Sequence, residues 1–150
     1  MEIERKYLVK DLPKNYEEYP HRELEQGYLC TDPVVRIRKA ADSYTLTYKG
    51  QGLMIREEYN LPLTAEAYQH LRTKADGILI HKIRYNIPFQ KRYIIELDIF
   101  LDELAPLQLA EVEFETEEEA NAFVPPPWFG EDVTFSDQYH NSTLSQKAIG

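Results

Sequence analysis

Residues Met1–Lys10 read MEIERKYLVK. In extended backbone, side chains alternate between the two faces of a sheet. One face of this stretch carries Glu2, Glu4, Lys6 and Leu8, and the other carries Ile3, Arg5, Tyr7 and Val9. Glutamate and lysine are rarely fully buried unless paired. A strand that lines up three charges therefore needs water or charged partners on that face. Taken alone, the pattern describes a solvated surface. Repetition along the chain changes that reading.

Period-two runs continue through the sequence. His21–Leu29 is a second expected strand, ended by Thr31-Asp32-Pro33. Val34–Lys39 and Tyr44–Lys49 form a hairpin through Ala40–Ser43, and Gly50-Gln51-Gly52 is a turn. Met54–Leu61 is a fifth strand, ended by Pro62. Thr64 then caps a helix that continues through Leu71 and Ala75 to Gly77. Strands return at Ile78–Pro88, Tyr93–Phe100 and Leu107–Glu115. Thr116 caps a short helix through Phe123, Pro125–Trp128 is a stiff extended segment, and a last short helix is expected over Ser142–Ala148. About eight antiparallel strands with few helices to cover a flat sheet point to a closed barrel.

Charge recurs on one face of strand after strand. Arg36 and Arg38 share a face; Lys49 lies with Thr45 and Thr47; Glu58 lies with Arg56 and Asn60. Lys82 pairs by parity with Arg84, Glu96 with Asp98, and Glu111 with Glu113 and Glu115. The opposite faces are apolar: Tyr93, Ile95, Leu97 and Ile99 on one strand, Ala110, Val112 and Phe114 on the next. Those faces need cover. If the apolar faces point outward under the helices, the charged faces line a hydrated interior. Lys6, Arg36, Arg38, Lys49, Lys82 and Arg84 would then converge as a polyanion needs, with arginine giving bidentate phosphate contacts. The clustered carboxylates suit a hard divalent cation. A metal-bound chain of phosphates would use both sets.

Composition narrows the class. The chain has 150 residues, 43% hydrophobic and 29% charged, as expected for one globular domain. Acidic residues outnumber basic ones by 26 to 17, for a formal charge of −9, so the outer surface is a poor partner for a nucleic acid backbone. One cysteine, Cys30, allows no intrachain disulfide. No signal segment or membrane-length apolar run is visible, so a cytoplasmic location is expected.

The charged elements resemble, in order and spacing, the CYTH superfamily of triphosphate tunnel metalloenzymes. The resemblance starts with Glu2-Ile3-Glu4-Arg5-Lys6, which looks like the family's Glu-x-Glu-x-Lys signature. It continues with Arg36-x-Arg38, Lys49, Glu58, Lys82-x-Arg84, Glu96-x-Asp98 and Glu111-x-Glu113, and it includes Leu109–Phe114 and the tail Val133–Asn141. It spans essentially the whole chain. It implies an eight-stranded antiparallel β-barrel tunnel with a few peripheral helices, in which a small triphosphate is hydrolysed with Mg²⁺ or Mn²⁺. On this reading Glu2, Glu4, Asp98, Glu111 and Glu113 hold metal. Lys6, Arg36, Arg38, Lys49, Glu58, Lys82 and Arg84 form the substrate site. Glu2, Glu4, Lys6, Glu96 and Asp98 serve the chemistry. Glu96 and Asp98 are either second-metal or water-positioning groups, or anchors for the arginines. Asn60 stands where many relatives carry an acid, a departure that bears on a second metal site.

Inorganic tripolyphosphate is the leading substrate, because no aromatic pocket motif for an organic group is visible. Thiamine triphosphate, nucleoside triphosphates, an RNA 5′ end and cyclisation of ATP are alternatives on the same fold. A non-catalytic polyphosphate- or nucleotide-binding module is the alternative of another class. A homodimer is left open. His21, His70, His81 and His140 lack metal-ligand spacing, and His81 points away from Lys82 and Arg84. Tyr28 reads as packing near a tunnel end.

Overall fold

The computed structural model describes residues 1–146. Ten strands form one antiparallel sheet: β1 (Glu2–Val9), β2 (His21–Thr31), β3 (Val34–Ala40), β4 (Ser43–Lys49), β5 (Ile55–Arg56), β6 (Glu58–Pro62), β7 (Asp76–Phe89), β8 (Tyr93–Phe100), β9 (Gln108–Glu113) and β10 (Phe129–Asp132). Their order is β10-β1-β9-β8-β7-β2-β3-β4-β6, with β5 returning to pair with β1.

That return nearly closes the barrel. The expected strand Met54–Leu61 divides at Glu57 and serves two neighbours. β6 pairs with β4, placing Glu58 opposite Lys49, while β5 pairs with β1, placing Arg56 opposite Glu2. One run of chain thus bridges the first and last walls. Arg56 Nε donates to the Gly50 carbonyl at 3.0 Å and Gly50 N–H to the Glu57 carbonyl at 3.0 Å, which fixes the crossover.

The register puts the charged faces together. Glu4 lies opposite Glu113 and Lys6 opposite Glu111; Arg84 lies opposite Asp98 and Glu96 opposite Glu111. The reverse faces form an outer apolar core that includes Tyr7, Tyr85, Ile95, Leu97, Ala110, Val112 and Phe114. Phe123 and Phe129 close over it at the ends of helix α2 (Glu117–Ala122) and of the proline segment. The Thr116 hydroxyl caps α2 by accepting from Glu119 N–H at 3.1 Å. Thr64 does the same for Ala67 at 3.0 Å in helix α1 (Ala65–Arg72), which covers β3 and β4 through Tyr68.

Three expectations need correction. The interior is not wet throughout. Tyr28, Val34, Ile80, Phe100 and Leu109 fill one end with a dry cluster, joined by Leu8 from β1 and by Val133, Tyr139 and Leu144 from the C-terminal segment. The α1 helix stops at Arg72 rather than at Gly77, which instead is the second residue of β7, at φ 66°. A Cβ there would collide with the Ser145 carbonyl oxygen, which accepts from Ile78 N–H at 2.7 Å. The last helix, α3, is Asn141–Leu144; the expected positions 147–148 lie outside the described residues. Among the described residues, no helix is long and apolar enough to cross a membrane.

Candidate functional site

The inward charges surround a cavity of about 190 Å³. β1 contributes Glu2, Glu4 and Lys6; β3 gives Arg36 and Arg38; β4 gives Lys49; β6 gives Glu58 and Asn60. Arg84, Glu96, Glu111 and Glu113 complete the opposite side. On β8 and β9 the alternate residues Ile95, Leu97, Ala110 and Val112 pack into the outer core, which turns Glu96, Glu111 and Glu113 inward. Glu115 lies past the end of β9 and lines an outer groove beside Glu96 and Glu113 rather than this cavity.

The cations fall into two groups. On one wall, Asp98 takes Arg84 in a two-point grip, at 2.7 and 2.8 Å, and Lys82 at 2.8 Å. Arg84 also reaches Glu96 at 3.2 Å and Glu111 at 3.6 Å. Burial alone would push the Asp98 carboxyl up, but Arg84 and Lys82 hold it below its usual range. Lys82 and Asp98 are both 0% exposed and lie behind the cavity wall. Burial presses the Lys82 ammonium down to about 7 against the pull of Asp98. Lys49 is held by Glu2 at 2.9 Å and by Glu58 at 3.5 Å, and Lys6 by Glu111 at 3.5 Å.

Arg36 and Arg38 differ. Among the described residues neither forms an ion pair. Arg36 Nη2 donates to the Thr47 hydroxyl at 3.2 Å, its Nε has no partner, and Arg38 Nε donates to Gln26 Oε1 at 3.0 Å. Burial, then Arg36 and Arg84, press the Arg38 guanidinium below its ordinary range. A guanidinium stays protonated near neutral pH, so this pressure is a demand for an anion.

The carboxylates make the opposite demand. Oxygens of Glu4, Glu96 and Glu111 lie within 4.8 Å of one another. Burial, Glu111 and Glu2 hold Glu4 well above the usual carboxylate range. Glu113 is raised by burial and by Glu2, Glu58 and Glu96. Burial also acts on Glu111, but Lys6, Arg84 and Lys82 hold it low, and its buried Oε1 has no hydrogen-bond partner, only the Lys6 ammonium at 3.5 Å. Crowded oxygen donors with an unsatisfied buried oxygen fit a hard divalent cation. Of the metal candidates read from the sequence, Glu4 and Glu111 meet here together with Glu96. Glu113 faces Glu4 across the register, Glu2 is occupied by Lys49, and both Asp98 oxygens are occupied by Arg84 and Lys82.

Several wall residues lie outside the metal and substrate sets expected from the sequence. Arg22, Arg56, His140, Asn141 and Ser142 line the cavity, as does Tyr28. Arg22 shares inward parity with Tyr28, a signal that was there to read. His140, Asn141 and Ser142 come from the tail around α3, where no strand period applies. Burial, with Lys6, Arg56 and Lys49 nearby, pushes the His140 imidazole down to about 4. His81 lies outside the barrel, with Nε2 2.9 Å from Glu25 and Nδ1 3.0 Å from Asp102.

The family model described as the CYTH domain matches residues 1–148. The chain is 40% identical over 147 residues to an inorganic triphosphatase of Nitrosomonas europaea, covering 96% of each chain. It is 34% identical over 153 residues to an inorganic triphosphatase of Acetivibrio thermocellus, covering 95% of this chain and 92% of that one. A crystal structure of an inorganic triphosphatase superposes with a TM-score of 0.75 at 37% identity, covering 100% of this chain and 97% of the other.

Proposed function

This chain belongs to the CYTH domain family, and from that premise we propose that it is a metal-dependent hydrolase of inorganic tripolyphosphate. The observation that carries the reading is the pair Arg36 and Arg38: two inward arginines without ion pairs, sharing a cavity with the crowded carboxylates Glu4, Glu96 and Glu111. The names of the relatives support it. The bore supports the inorganic substrate, since about 190 Å³ is below the roughly 300–1,000 Å³ of pockets that bury drug-sized organic ligands.

Arg36 and Arg38 would grip phosphate oxygens, with Lys6, Lys49 and Arg84 adding fixed positive field. Glu4, Glu96 and Glu111 would hold the cation, Mg²⁺ or Mn²⁺, with Glu113 and Glu2 within the same field. When bound, the cation would neutralise phosphate charge as it develops during in-line attack by water. We assign Asp98 and Lys82 to holding Arg84 rather than to ligand contact. Most of the catalytic effect would then come from side chains already fixed in place before substrate arrives.

The test is phosphate release from tripolyphosphate, pyrophosphate, ATP and thiamine triphosphate, each with chelator, Mg²⁺ or Mn²⁺. Metal-dependent turnover greatest for tripolyphosphate is expected. Faster turnover of ATP or thiamine triphosphate would overturn the substrate assignment. Tight binding without turnover in either metal would make the chain a binding module.

A further inference from the structure

Gln26 on β2 is a wholly buried amide, 0% exposed. Burying an amide is costly unless its atoms are satisfied. Here both ends are used. Oε1 accepts from Arg38 Nε at 3.0 Å, and Nε2 donates to Asn141 Oδ1 at 3.1 Å and to the Tyr28 hydroxyl at 3.3 Å. Asn141 Oδ1 also accepts from Lys82 Nζ at 3.0 Å.

The polarity of this chain is set from its two ends. An ammonium only donates, so Lys82 requires an oxygen from Asn141. That oxygen draws the NH₂ of Gln26, which turns the Gln26 oxygen toward Arg38. A guanidinium also only donates, so no member can flip without leaving two donors facing each other. Holding Arg38 by Nε leaves both of its Nη groups for the cavity that it lines. Lys82 is itself locked to Asp98, and Asp98 to Arg84.

We propose that Gln26 and Asn141 are positioning residues that aim the Arg38 fork at the phosphate chain, with Asn141 supplied by the C-terminal segment from outside the barrel strands. This rests on the triphosphate reading above, but only on binding and not on turnover. Neither residue needs to touch the substrate. Their effect should pass through Arg38.

The test is calorimetric titration with tripolyphosphate in chelator, using the full chain, with Tm recorded for every variant. Gln26→Leu should weaken binding about tenfold, the scale of one misdirected charge-assisted contact. Asn141→Ala should weaken it in the same direction by a smaller factor. In an Arg38→Ala background, either substitution should change Kd by less than about twofold, because the group it aims has gone. A loss of affinity that persists at full size in that background would make the role one of packing and overturn the proposal. Unchanged Kd in the single variants would also overturn it. If Gln26→Leu does not fold, the same cycle with Asn141→Ala decides. A wild-type protein that binds tripolyphosphate without hydrolysing it refutes the hydrolase reading and leaves this inference standing. One that binds none in chelator refutes this inference, and one that also fails to hydrolyse tripolyphosphate with Mg²⁺ or Mn²⁺ refutes both.

Discussion

On β7, Lys82 and Arg84 sit two residues apart and face inward; on β3, Arg36 and Arg38 do the same. Their surroundings differ. The β7 cations find Asp98 and Glu96 on β8, Asp98 directly opposite Arg84 and diagonal to Lys82, Glu96 diagonal to Arg84, and their charge is largely matched within the protein. The β3 cations face Thr47 and Thr45 on β4 and Gln26 and Tyr28 on β2, so only neutral partners flank them. One wall is built and balanced by its neighbours. The other has neutral neighbours, and on the proposed function its charge is matched by the substrate. Strand parity reports which way a cation points, whereas the charges on the neighbouring strand, opposite or diagonal, report whether it is already paired.

This contrast can be broken by substitution. The largest effect is expected on the carboxylate side, at Glu4→Ala. Losing a ligand to a catalytic cation should remove several kcal/mol of transition-state stabilisation, or roughly a thousandfold in kcat/KM. Metal-dependent turnover of tripolyphosphate is the measurement. Turnover within tenfold of wild type at saturating Mg²⁺ would exclude Glu4 from the site.

Next is Asp98→Asn, which should act on the fold. It strands Arg84 and Lys82 in a buried setting, and breaking such a pair costs about 3–5 kcal/mol. Urea unfolding should show the loss directly. A stable variant with lost activity would move Asp98 from the scaffold to the chemistry.

Arg38→Lys should show the reverse signature. The charge stays but the planar fork is lost, and impairing a contact to a charged group costs about 1.5–3 kcal/mol. The expected readout is higher KM for tripolyphosphate with Tm unchanged or raised, since Arg38 has no carboxylate to lose. A large fall in Tm would place β3 with β7 as scaffold.

The smallest effect sharpens the carboxylate side through pH. Glu4 is held well above its ordinary range, so in metal-free protein its proton is favoured. A raised carboxyl adds stability while protonated and loses it as pH rises through the folded value. Glu4→Gln copies the protonated form. Its Tm should therefore match wild type at low pH and exceed it increasingly as pH rises, with the gap closing when Mg²⁺ is added to wild type. Parallel Tm profiles from pH 5 to 8 would remove the charge crowding inferred at Glu4.

Legibility followed the same division. The inward placement of Glu2, Glu4, Lys6, Arg36, Arg38, Lys49, Arg84, Glu111 and Glu113 was readable because a period of two survives any barrel shape. The expected eight staves correspond to the structure when β5 and β6 are taken as one. β10 was not readable, since Phe129–Asp132 is four residues long and pairs with β1 through an irregular register. The crossover at Glu57 was hidden too, because a strand that changes partners keeps its alternation. His140 and Asn141 were out of reach for a different reason. Their place in the wall comes from tertiary docking of the tail, through Thr134 on Lys6 and the Lys6 ammonium on the Tyr139 carbonyl.

That docking also has a temporal meaning. Lys6 N–H donates to the Thr134 hydroxyl across 128 residues of chain, and all of β1's partners follow it by dozens of residues or more. At roughly 5–20 residues per second on the ribosome, β1 spends on the order of ten seconds with both edges open. A bare strand is a template for pairing with other chains, and charged side chains are one of the ways proteins blunt it. The row Glu2, Glu4, Arg5 and Lys6 would thus protect the newborn strand before it serves the tunnel.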